Sequence, residues 1–259
     1  MKVHDAVFMR SNQIAYDKHA AKAASLFALR CLPKCLEIAA DGKKNKAECL
    51  KNLLQLQYSI YELDEYGESN WRIDTQKLDE IWHRIKGSWL AVPGSRGWRP
   101  PLTEIENYQR IEIDMRVGVR PDMIPIKEFY ESKTCDVRLM RQLIWNAYQA
   151  PNSSVRRLWE IFDLIGEVLD DLTDVAEDRL AYNGNRFAFC IRQHGTNKTI
   201  WQYELLIALL AREFRRIVTE NSDLVISVSF LDGKLADLCG EVGTRLQDCR
   251  RSQVEDRTL

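Results

Sequence analysis

Apolar residues recur along most of the chain at intervals of three and four, the rhythm of helices with one buried face, and alternating runs are few. The pattern predicts helices over 15–40, 46–66, 74–88, 102–115, 123–150, 153–182, 197–220 and 231–250, with minimal strand. One stretch departs from it: LVISVSF at 224–230 is rich in β-branched residues. Without a second strand to pair with, a helix or loop is expected there. Proline and glycine cluster in VPGSRGWRPP at 92–101, a long connection, and Pro151-Asn152-Ser153-Ser154 reads as a break followed by a helix N-cap. The expectation is an all-α fold, a single domain over 1–259, long enough to enclose a substantial apolar interior.

Charge narrows the partners. With 37 basic and 38 acidic residues the formal net charge is −1, which gives no global attraction to nucleic acid or to an anionic membrane, so any anion must be bound locally. The opening MKVHDAVFMR lacks the apolar core of a secretory signal, and LLIALLA at 205–211 is too short to span a bilayer. The expectation is therefore a cytoplasmic protein without stable membrane insertion. Seven cysteines, scattered and without a CxxC pair, suggest neither a disulfide framework nor a zinc site. Cys31 and Cys35 read as ordinary thiols near a core. His4, His19, His83 and His194 are the only histidines, and no two stand at metal-binding spacing, so zinc or Cys–His nucleophilic chemistry has little support.

The most informative segment is LWEIFDLIGEVLDDLTDVAED at 158–178. Leu158, Phe162, Ile165, Leu169 and Leu172 mark an apolar stripe, and the helix ends in Asp170, Asp171, Asp174, Glu177 and Asp178. At helical spacing Asp170 and Asp174 are one turn apart, and Asp171, Asp174 and Asp178 follow a three-then-four rhythm along one face. Like charges this close repel, and at a helix C-terminus they also oppose the macrodipole. Such a cluster needs full solvation or a compensating cation. Solvation is the commoner answer, and Glu160, Asp163 and Glu167 extend the acidic stripe upstream as on an ordinary exposed face. Mg²⁺ is the other answer, because it takes carboxylates, water and substrate phosphates as ligands.

Longer-range pattern favours the metal. DDLTD at 170–174 resembles the second aspartate-rich DDxxD motif of trans-prenyl diphosphate synthases, and Lys133-Thr134 upstream resembles their Lys-Thr pair. Overlapping it, DVAED followed by Gly184, Arg186 and Phe187 is similar to the DxxED…GRxY motif of squalene and phytoene synthases. Both resemblances name the class I isoprenoid synthase superfamily. On an earlier segment, LLQLQYSIYELDEYGE at 53–68, Asp64, Glu65 and Glu68 form a DExxE version of the first DDxxD, with Glu for Asp twice and Gly67 inside.

The resemblance implies a helical bundle of the isoprenoid (terpenoid) synthase type with a central apolar cavity. It implies Mg²⁺ held by Asp64, Glu65, Glu68, Asp170, Asp171, Asp174 and Asp178, with Asp64, Asp170 and Asp174 as the catalytic carboxylates. The diphosphate of a prenyl diphosphate substrate would meet Lys133, Arg116, Arg138 and Arg186, with Arg72 a further candidate. Ionisation followed by prenyl transfer is the expected reaction. Cyclisation or head-to-head condensation uses the same ionisation, and a non-catalytic helical subunit or an acidic interaction domain are the non-enzymatic readings. Tyr58, Tyr61, Trp145, Tyr148, Trp159 and Phe162 could line a cavity, although core packing is the commoner role of such residues. Monomer and homodimer both stay open.

Overall fold

The structure is a computed structural model, and it describes residues 19–70, 72–95, 102–178, 184–221 and 225–255. Among these residues every regular element is a helix and none is a strand. The start of the helix expected at 15–40, most of the 92–101 connection and the 179–182 end of the 153–182 helix lie outside them.

The contacts group into two compact units interleaved along the chain, 1–100 with 139–150, and 101–138 with 151–259. In the first, α1 (residues 19–29) is followed by α2 (Leu32–Ala39), α3 (Lys46–Ser69) and α4 (Thr75–Ala91). Pro33 at the start of α2 explains why 15–40 is not one helix: it cannot donate the backbone bond a continuous helix needs, and Cys31 before it turns left-handed at φ 53°. α3 and α4 form the core pair. Cys49, Leu53, Leu56, Ile60 and Leu63, spaced four and three apart, bury against Ile81, Trp82 and Ile85. A short 3₁₀ turn, Pro93–Ser95, then brings Gly94 against the backbone at Leu143. A Cβ on Gly94 would lie 1.9 Å from the Leu143 carbonyl oxygen, and backbone cannot swing aside. Gly94→Ala is therefore expected to destabilise the protein by about 3 kcal/mol or more, readable as a lowered thermal midpoint; an unchanged midpoint would refute the close approach.

The second unit is built around α8 (Ser153–Thr173), packed by α6 (Ile126–Lys133), α10 (Arg186–His194), α11 (Thr196–Glu220) and α12 (Val225–Glu255), with α5 (Leu102–Arg116) against α6. The expected N-cap before α8 is present: the Asn152 side chain accepts from the Val155 N–H at 2.9 Å. Three helices differ from expectation. The one at 123–150 starts later, because Ile124 before Pro125 is held extended at φ −87°, ψ 130°. It is also offset at Thr134, which separates α6 from α7 (Cys135–Ala147) while the backbone bonds run on from Thr134 to Tyr130 and from Arg138 to Thr134. The helix at 153–182 ends at Thr173, and a single turn, α9 (Val175–Asp178), follows. α10 was not anticipated. Gly184, left-handed at φ 72°, turns the chain, and Asn185 caps the new helix by accepting from the Ala188 N–H at 2.9 Å. Residues 225–230 of the β-branched stretch open α12, in keeping with the absence of a partner strand among the described residues.

Candidate functional site

On α8 the acids do not all behave as an exposed face. Asp163, Glu167 and Asp171, one turn apart in succession, are 2 %, 3 % and 1 % exposed, so this part of the stripe points inward rather than into water. Burying carboxylates without partners costs several kcal/mol each, and α6 supplies partners for Glu167 and Asp171. The Lys133 ammonium lies 2.5 Å from Asp171 Oδ1 and 3.9 Å from Glu167 Oε2. The Tyr130 hydroxyl, three residues earlier, donates to Asp171 Oδ2 at 2.6 Å. Because that single proton is used, the Tyr203 hydroxyl on α11, 2.8 Å from Tyr130, is the donor in the tyrosine pair.

The chain beyond α8 returns to the same carboxylate. The Arg186 N–H donates to Asp171 Oδ2 at 3.1 Å, and the fully buried Asn185 donates its amide to the Asp171 carbonyl at 2.7 Å and to Asp178 Oδ2 at 2.9 Å. Asp171 thus collects three donors on its carboxylate, from α6 and from the start of α10. Burial works against the charge of Lys133, but Asp171, Glu167 and Asp170 outweigh it and hold the ammonium well above its ordinary pKa. Burial likewise pushes the Asp171 carboxyl up, against the pull of Lys133 and Tyr130. The two buried phenols nearby, Tyr130 and Tyr203, are raised by burial and stay protonated.

Of the residues expected at the second acid motif, the structure therefore brings Lys133, Asp171, Asp178 and Arg186 into one network. Asp170 is half-buried and makes no salt bridge among the described residues. Asp174 caps α8 at φ −93°, ψ 5°, so the expected ladder of Asp171, Asp174 and Asp178 on one continuous helix is broken by the helix end. The Arg186 side chain is 5 % exposed and donates to the Ile124 carbonyl at 3.3 Å, while its Nε has no hydrogen-bond partner among the described residues. The Tyr108 hydroxyl on α5 is a second buried donor of that kind, and it converges with Glu112 on Gly184.

The other expected contacts lie elsewhere. Arg138 is tied to Glu104 at 2.6 Å and to the Glu131 carbonyl, at the edge of a polar cavity of about 510 Å³ whose other walls include Arg157, Glu160 and Asp163. Arg116 ends α5, half-buried. In the first unit, Asp64 and Glu65 are half-buried near the end of α3 and Glu68 is exposed; Glu65 pairs with His19 at 2.8 Å. Arg72 is exposed. Tyr58 lines a shallow, largely apolar hollow of about 380 Å³ formed by α1 and α3, whereas Trp145, Trp159 and Phe162 are core residues, the last two in edge-to-face contact at 5.9 Å.

Among the described residues no group of three or more His, Cys, Asp or Glu side chains forms a ready-made metal cage. Mg²⁺ does not require one, since it is completed by water and by the phosphates of its substrate around one or two carboxylates. Asp170 has the donor chemistry, and the unpaired Arg186 Nε suits an anionic oxygen. Tyr130, Tyr203 and Asn185, which complete the network, were not anticipated; the only advance signal was the place of Tyr130 one turn before Lys133. No known protein family matches the chain, and no curated protein or solved structure matches it either.

Proposed function

We propose that the protein ionises an allylic prenyl diphosphate in a Mg²⁺-dependent step and transfers the prenyl group to an acceptor. One observation carries the reading: Lys133, the second acid motif and Arg186, far apart in sequence and each part of the resemblance, meet at Asp171. Within each acid motif by itself, Asp170 with Asp174 and Asp64 with Glu68 are the carboxylates assigned to Mg²⁺, which when bound supplies Lewis-acid stabilisation of the departing diphosphate. Arg186 Nε donates to the leaving anion, and Lys133 adds positive charge behind it. Glu167 and Asp171 hold that ammonium in place.

The test is incubation of the purified protein with prenyl diphosphates of several chain lengths, with and without Mg²⁺. Diphosphate release and an organic-extractable product that both require the metal are expected. Cyclic hydrocarbons or a head-to-head dimer would move the assignment to cyclisation or condensation. The absence of metal-dependent turnover would favour a non-catalytic helical subunit, a second reading prompted by the way Lys133 and Asp171 satisfy one another.

A further inference from the structure

Over its middle turns, LLIALLA at 205–211, α11 is apolar on both sides. Ile200, Tyr203, Leu206, Leu210 and Phe214 face the interior, yet Trp201, Leu205 and Leu209 are 61 %, 45 % and 54 % exposed. A helix apolar all round is ordinarily covered on all sides. The exposed residues belong to a longer series at helical spacing, Lys198, Trp201, Leu205, Leu209 and Arg212, which presents an apolar centre with a cation at each end over about 21 Å.

The surrounding charges select the partner. The acids of α11 itself are each neutralised within the unit: Glu204 by Arg250 at 3.1 Å, Glu213 by Arg157 at 2.8 Å and Glu220 by Arg216 at 3.1 Å. Lys198 and Arg212 make no salt bridge among the described residues, and Arg215 uses its Nε on the Ala211 carbonyl of its own helix. The face is therefore electropositive although the whole chain carries a formal charge of −1. A second copy of α11 laid antiparallel across a two-fold axis would bring the Lys198 end of one against the Arg212 end of the other, setting like charges together. An anionic surface with an apolar layer beneath it answers both halves of the pattern: Trp201 and the leucines enter the boundary between headgroup and acyl chain, and the cations remain among the headgroups. No described helix is long and apolar enough to cross a membrane. We propose that the outer face of α11 docks this protein reversibly on the surface of an anionic lipid bilayer.

Flotation of the full chain with phosphatidylcholine–phosphatidylserine vesicles, against phosphatidylcholine alone, tests this. Binding is expected only with the anionic vesicles, weakening as salt is raised. Leu205→Glu and, separately, Lys198→Glu with Arg212→Glu should each lower the bound fraction about tenfold. All these side chains are exposed, so the thermal midpoints should stay at the wild-type value. The proposal is overturned by failure to bind the anionic vesicles, by variants that float like the wild type, or by a solution dimer that Leu205→Glu dissociates while no vesicle binding is seen.

Discussion

Replacing Lys133 with methionine is expected to lower the free energy of unfolding by about 3–5 kcal/mol, the cost of leaving a buried carboxylate without its cation. The ammonium is 14 % exposed and Asp171 only 1 %, so solvent cannot take over the role as it would for a surface pair. Removing the charge from both partners should be less damaging than removing one, so Lys133→Met with Asp171→Asn should lose less than Lys133→Met alone. Urea unfolding of the wild type, both single variants and the double variant reads this as a coupling energy. The pH dependence has a defined sign. The pKa of Lys133 is raised above 10.5, so the stability it contributes is full below that value and is lost as pH rises through the folded-state pKa; the methionine variant should lack this alkaline loss. A single-variant loss below about 1 kcal/mol would mean that the pair behaves as a surface salt bridge.

Asp170→Asn is expected to act on rate and not on stability. In the proposed reaction it should slow turnover by about a thousandfold or more, roughly 4 kcal/mol of barrier, while unfolding stays within about 0.5 kcal/mol of wild type. Asp64→Asn should behave alike. The neighbouring Asp171→Asn should instead lose stability, because its carboxylate is the acceptor of the Tyr130, Lys133 and Arg186 donors. Single-turnover rates and unfolding curves for the three variants separate the two roles. Wild-type turnover in both Asp170→Asn and Asp64→Asn would remove the metal assignment, whatever their stability.

The helical class and most helix positions were legible because the apolar spacing that marks a helix is the same spacing that buries its face, as in Leu53, Leu56, Ile60 and Leu63. Breaks were less legible. Pro33 and Pro125 carried a signal in the chain, but the offset at Thr134 and the end of α8 at Asp174 involve no breaker residue and keep their backbone hydrogen bonds almost continuous. The site divided in the same manner. Lys133 and the acids could be picked out by type and order, but not which acids are buried: Asp163 and Glu167 looked like a solvated face and lie inside, and the lysine that pairs with Glu167 is on a helix about thirty residues away. Asn185 was invisible as a network residue, since its role depends on a left-handed glycine turning the chain back toward Asp171.

The spacing of those buried acids carries an ambiguity that the rest of the fold has to resolve. Asp163, Glu167 and Asp171 repeat every turn, so sliding α8 by one turn, about 5.4 Å, would still offer Lys133 two carboxylates. Charge alone cannot tell the lysine which rung to occupy. Asn185 can, because it grips the main-chain oxygen of Asp171 together with the side chain of Asp178 in the turn beyond α8, whereas the aspartates at the same spacing from the other rungs, Asp170 and Asp174, lie within α8 or at its cap. A small neutral amide, rather than any of the ions, is the part that sets the helix's longitudinal address.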